Sequence, residues 1–300
     1  MRVLHSILDP DDLPARFGLA GACRLLHHGH NDTYELRTTA GEFVARIVRH
    51  GWRTRAQVEA ELAVLRHLSA EGVPVSAPVA GPVDIDAPEG VRLAVLFPKA
   101  PGNIPHCLDD ETCDELGSTL GRMHRVLDDW RGPERLCLDL DFLVGASLDA
   151  LVASFPERSA ELDELRGRFA RLGDRVSHAG LARGWLHGDF INANVFWSPK
   201  LGVTIFDFDF CGTGWRAYDV ATFRWGLQVA QAGEADALFA RFLDAYEAEM
   251  ERIDRDALDD LVTIRHLWVW AIDVAHGESF RRLNPLSFEH RLLVLLARPA

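Results

Sequence analysis

Residues 185–197, WLHGDFINANVFW, followed closely by 203–209, VTIFDFD, constrain this chain more than any other stretch. The segment reads as strand, loop, strand, turn, strand. Its loop carries His187, Asp189 and Asn194 in an HxDxxxxN pattern, and Asp207 follows Asn194 by thirteen residues at the end of an apolar run. A short polar loop between apolar strands is held at both ends. Such a loop can aim one carboxylate at a substrate and set an amide and a second carboxylate around one ion. Oxygen donors of this kind suit Mg2+.

One reaction class uses that arrangement. Phosphoryl transfer from a nucleotide needs positioning and charge neutralisation more than covalent chemistry. One Asp orients the acceptor hydroxyl, and an Asn and an Asp hold the metal. The competing reading makes His187 and Asp189 turn caps and Asn194 a turn residue.

The bulk numbers bound the alternatives. A chain of 300 residues allows one large domain or two lobes. The net charge of −13 argues against duplex nucleic acid as a partner. About −1 of it falls in residues 1–99 and −12 beyond, so the C-terminal part can attract a cationic acceptor; plain solubility explains it equally well. The first nine residues lack the apolar run of a signal peptide, and no stretch is long enough to span a membrane. Five scattered cysteines with no CxxC read as free thiols of a reducing, cytoplasmic setting.

Along the chain, residues 22–48 read as three strands with turns near Gly29–Asp32 and Ala40–Gly41. Backbone N–H groups around His30 and Asn31 could close over phosphates, although a plain hairpin turn explains the segment too. The spacing of Val58, Leu62 and Leu65 predicts a helix over 53–70, with Glu61 at the edge of the apolar stripe. Residues 73–78 read as extended, and 91–97 as a strand ending at Pro98. Helices are predicted over 109–130, over 157–178 as a charged, mostly solvent-facing element, from Tyr218, and over 233–251, 255–276 and 284–297. Residues 132–156 read as irregular. Asp207 and Asp209, two apart on an extended strand, are expected on one face, Asp209 meeting either a second metal or the turn at residues 212–214. The HHxH cluster at residues 27–30 makes no convincing metal site. Trp268 and Trp270 read as core, and Asp273, His276 and Glu278 as candidates for the acceptor cleft.

The loop at 186–194, the strand at 205–209 and residues 214–221, GWRAYDVA, resemble the aminoglycoside phosphotransferase and choline kinase-like family, nearest to its bacterial stress response kinase A-like branch. The likeness covers roughly residues 20–280 and is strongest over 185–221. It implies an α+β, two-lobed, protein-kinase-like fold: residues 1–98 as a small β-sheet lobe with one helix, and 99–300 as a larger, mainly helical lobe. It implies ATP and Mg2+ as cofactors and a small-molecule hydroxyl as acceptor. Position by position, Asp189 matches the catalytic aspartate and His187 the histidine that shapes its loop. Asn194 and Asp207 match the metal ligands. Glu61 matches the helix glutamate that pairs with the phosphate-binding cation. Phe97 to Lys99 fall at the hinge that would meet adenine, and Asp219 matches an aspartate bonding to backbone at a helix start.

One departure stands out. The family often has lysine on the third strand, where this chain has Arg46, and residues 1–98 contain no lysine. Arg46 must then be the cation that meets the phosphates; arginine keeps the charge but is bulkier and differently directed. Three functions stay open on sequence: a small-molecule kinase, a protein serine/threonine kinase, and a nucleotide-binding module without catalysis.

Overall fold

The computed structural model describes residue 8 and residues 12–105, 107–276 and 288–297. Strands β1 (Gly21–His28), β2 (Asn31–Thr38), β3 (Gly41–Val48), β4 (Ala80–Ala87) and β5 (Gly90–Pro98) form an antiparallel sheet in the order β1-β2-β3-β5-β4. Alternation gives the sheet two unlike faces. Tyr34, Leu36, Ala45, Ile47, Ala94 and Leu96 close one core with Leu13, from the short helix α1 (Leu13–Arg16). Arg46, Val48, Val95 and Phe97 take the opposite parity. Val48, Val95 and Phe97 join the other core, on the side of helix α2 (Arg55–Ala70). The parity that buries Ile47 therefore turns Arg46 toward α2. Edge strand β4, not evident in the sequence, carries Pro82 and buries only Ile85, so it leaves little alternation to read.

A capping box starts α2: Gln57 N–H donates to Thr54 Oγ1 (3.2 Å) and Thr54 N–H to Gln57 Oε1 (3.0 Å). From there residues 73–78, which turn tightly where Val75 N–H donates to Val73 O (2.9 Å), join the larger half. Ser76 N–H donates to Ile205 O (2.9 Å) and Ile205 N–H to Pro74 O (2.8 Å).

The second half is mainly helical: α3 (Asp110–Asp128), α4 (Ala146–Ser154), α5 (Ser159–His178), α6 (Ala217–Ala230), α7 (Ala235–Glu249), α8 (Arg255–His276) and α9 (Phe288–Ala297). Residues 284–287, expected to open the last helix, lie outside the described residues, as does Glu278. Strands β6 (Leu136–Leu138), β7 (Arg183–Leu186) and β10 (Gly212–Trp215) form a small sheet with β10 central, and β8 (Val195–Ser198) and β9 (Gly202–Ile205) form a hairpin. The fold is the α+β, protein-kinase-like one expected.

Two local expectations need correction. Residues 132–156 are not irregular throughout: they hold β6, a π-helical turn at Asp141–Gly145 and α4, whose Leu148 and Leu151 are buried. Helix α5 is mostly solvent-facing as expected, and Leu162, Leu165, Phe169, Leu172 and Val176 form the buried stripe that seats it among its charges. Strand β9 stops at Ile205, so Asp207 and Asp209 do not share a strand face. Asp207 takes a left-handed conformation (φ 63°, ψ 61°), and Phe208–Phe210 form a 3-10 turn. Among the described residues no helix is long and apolar enough to cross a membrane.

Candidate active site

The loop after β7 is fixed from below. Asp219, in the first turn of α6, accepts from His187 N–H (2.7 Å, Oδ2) and Gly188 N–H (2.8 Å, Oδ1), and its Oδ2 also meets His124 Nε2 at 3.0 Å. It bonds to backbone as expected, but to that of the loop and not of its own helix. His187 is fully buried, and burial pushes its imidazole down toward the neutral form. Asp189 N–H donates to its Nδ1 (3.2 Å), so Nε2 carries the proton and donates to Phe206 O (3.0 Å). His187 thus positions the loop and ties it to the residue preceding Asp207.

Asn194 and Asp207 flank one end of the β8–β9 hairpin. Val195 pairs with Ile205, and Phe206 N–H donates to Asn194 O (3.0 Å). The Asn194 amide donates to Asp189 O (2.8 Å) and Asp189 Oδ2 (3.0 Å), which leaves its own oxygen as the atom able to face a cation. The Asp207 side chain is 43% exposed, and its nearest ion partner is Arg46 at 3.7 Å. Partial desolvation by the surrounding protein pushes its carboxyl up to about 7; Arg46 pulls it down, while Asp209, Asp189 and Glu61 push it further up. A carboxylate crowded by like charge and lacking a close cation, at the same hairpin end as the Asn194 amide, fits a divalent ion. These two oxygen donors leave room for water and phosphate oxygens, the usual Mg2+ shell. Among the described residues no group of three or more His, Cys, Asp or Glu could hold a metal by itself.

Above this pair lies a buried charge cluster. Arg46 reaches Glu61 on α2 at 2.8 Å, with Phe97 under its guanidinium (5.4 Å to the ring centroid). Burial works against the Arg46 charge, yet Glu61, Asp209 and Asp207 hold it more firmly than usual. The Asp209 side chain is not bonded to the 212–214 segment, which is strand β10. It accepts from Trp52 Nε1 (2.6 Å) and Arg53 Nε (3.2 Å). Burial opposes the Asp209 charge, but Arg53, Arg46 and Arg135 hold its carboxyl below the usual range. Arg135 donates to Gln57 O (2.9 Å), Asp209 O and Cys211 O (both 2.7 Å), and lies 3.4 Å from Glu61.

The structure therefore brings Asp189, His187, Asn194, Asp207, Arg46 and Glu61 together, with Phe97 against Arg46. His30, at the β1–β2 turn, lies 4.7 Å from Trp52, which links that turn to Asp209. Asn31 opens β2 opposite Val48, and its buried Oδ1 has no hydrogen-bond partner. Lys99 stands apart: its amide donates to Glu42 O (3.2 Å), and its ammonium lies between Glu35 (2.8 Å) and Glu42 (3.1 Å). Asp273 pairs with Arg291 at 2.5 Å. Sequence reasoning missed Arg135 and Arg265. Arg265 had a readable signal, because it falls on the apolar stripe of Leu258, Leu261, Val262 and Trp268 on α8. Arg135, in a short connection, had none.

A model of the phosphotransferase enzyme family (APH) matches residues 22–258. The chain belongs to that family. It is a phosphotransferase acting on hydroxyl groups. It is 35% identical over 298 residues to an uncharacterized protein of Deinococcus radiodurans, covering 92% of this chain and 85% of that one. It is 27% identical over 285 residues to a homoserine kinase of Hyphomonas neptunium, covering 87% and 85%. In fold this phosphotransferase is similar to an amicoumacin kinase solved with AMP-PNP, Ca2+ and Ami: TM-score 0.73, 19% identity, covering 92% of this chain and 89% of that one.

Proposed function

We propose that this phosphotransferase uses ATP with Mg2+ to phosphorylate a hydroxyl of a small molecule, the nucleotide lying between residues 1–98 and 99–300. The observation that carries the reading is the hairpin end that Asn194 and Asp207 flank, with Asp189 hydrogen-bonded to Asn194 and Arg46 between Glu61 and Asp207. Asp189 accepts the acceptor proton as the acceptor oxygen bonds to the γ-phosphorus and the bond to ADP breaks. Asn194 and Asp207 would hold Mg2+, which neutralises charge on the phosphates when bound. Arg46, braced by Glu61, meets the phosphates in place of lysine. His30 and Asn31 line the phosphate side and Phe97 the hinge; Lys99 contributes there through its chain position, since its amide and ammonium are engaged by β3 and β2.

The acceptor belongs to the class of hydroxyl-bearing metabolites or antibiotics. That fits the activities named for the similar homoserine kinase and amicoumacin kinase. A coupled ADP-release screen over hydroxy amino acids, amino alcohols, sugars and antibiotics tests it. Mg2+-dependent release stimulated by one class supports the proposal. ATP binding with no turnover on any acceptor would leave a non-catalytic nucleotide module, and turnover only with protein substrates would make it a protein kinase.

A further inference from the structure

The two oxygens of Asp189 are not equally placed. Oδ2 accepts from the Asn194 amide, in the loop itself. Oδ1 is paired with Arg265, which arrives from α8, 76 residues later in the chain. The Arg265 side chain is only 3% exposed. Its guanidinium lies over the rings of Trp268 (4.5 Å) and Trp225 (5.1 Å), with the Tyr218 hydroxyl also beside it. Trp225 is fixed in turn, its Nε1 donating to His266 Nδ1 at 3.2 Å. Neighbouring Gly226 packs against Ile191 and Asn192 of the loop.

A buried guanidinium is costly unless paired, and aromatic faces offset only part of that cost. Among the described residues, the carboxylate within ion-pair reach of Arg265 is Asp189, whose own side chain keeps 19% exposure. Each group therefore fixes the other. A carboxylate with one donor on each oxygen cannot turn about its terminal bond without losing one of them. The lone pairs still open point in set directions, where an incoming hydroxyl must find them.

We propose that Arg265 is a positioning residue for the proton-accepting carboxylate: clamped between α6 and α8, it fixes the plane of Asp189. This rests on the role given to Asp189 above. The clamp has two consequences. It makes the aim of the base depend on the helices at the acceptor side, outside the loop motif. It also makes Asp189 part of what holds the fold, because removing its charge strands a cation beneath two tryptophans.

The test uses the full chain with MgATP alone, water serving as acceptor and ADP release as the readout. In that reaction water oxygen bonds to the γ-phosphorus, ADP leaves, and the proton passes to Asp189 and then to solvent. Arg265→Met should lower kcat by about 10- to 100-fold while KM for ATP stays within about twofold, and Arg265→Lys should recover part of the loss. Thermal unfolding supplies an independent readout: Asp189→Asn lowers the midpoint, and adding Arg265→Met to it restores at least half of the drop. Turnover lost in Asp189→Asn but unchanged or raised in Arg265→Met overturns the positioning role alone. Turnover kept in both variants overturns the proposed function, and this inference with it. Additive midpoints in the double variant would show that the two side chains are not coupled.

Discussion

Asp207 combines a left-handed backbone, a carboxyl pushed up to about 7 and a 43% exposed side chain. Left-handed conformation disfavours most side chains by roughly 1–2 kcal/mol, with Asp and Asn the milder cases. Like-charge crowding makes its ionised form a burden when no cation is bound. Two substitutions separate these effects. Asp207→Asn keeps the backbone preference and removes the charge, so its thermal midpoint should equal or exceed that of the parent chain. Asp207→Ala loses the backbone preference and should fall below Asp207→Asn. Both should lose Mg2+-dependent ATP binding by titration calorimetry; unchanged Mg2+ dependence would remove Asp207 from the metal site.

Helix α2 is braced twice, from β3 by Arg46 and from the connection before β6 by Arg135, both reaching Glu61. That asymmetry predicts unequal costs. Arg46→Met leaves Glu61 with Arg135, whereas Glu61→Gln leaves two buried guanidinium groups short of a carboxylate. Glu61→Gln should therefore destabilise more, by about 3 kcal/mol against urea, as breaking a buried pair does. Arg46→Lys should keep MgATP turnover within about tenfold, since lysine retains the charge that phosphate binding needs; loss of nucleotide binding would show that the site is built for arginine. The elements themselves divide by legibility. Periodicity revealed α2 and α3 because each buries one face against an exposed one; the first three strands were legible from the turns between them, since β1 buries no residue and β3 ends in four buried in a row. Periodicity failed at α4 and at edge strand β4. The first is placed by its neighbours, the second by pairing on one side only. The spacing of loop residues 187, 189 and 194 singled out three residues that the structure does bond together. The path of the chain after Ile205 was not readable: alternation implies a continuing strand, and a single left-handed residue ends it.

Across the whole molecule, charge is used at the surface as well as within. Glu35, buried on β2, accepts from Lys99 at the end of β5 and from Arg24 on β1 (3.0 Å), and these hydrogen bonds hold its carboxyl down to about 2 from an ordinary 4.5. Its contribution to stability is complete above about pH 4.5 and drains away as pH falls toward 2. Glu35→Gln should flatten the loss of stability between about pH 5 and pH 3, read as urea midpoints; parallel curves for the two proteins would mean that the cluster is not coupled to folding.

Tyr246 on α7 meets His124 on α3 at 3.0 Å, and His124 meets Asp219, whose carboxylate holds the amides of residues 187 and 188. An unbiased search for dead variants should consequently return positions 124 and 246, which no ligand reaches, alongside those that do the chemistry. If the proposed reaction holds, such variants should keep nucleotide binding in a calorimetric titration while losing turnover, and a map of inactivating changes drawn without this interior relay would overstate the size of the reaction centre.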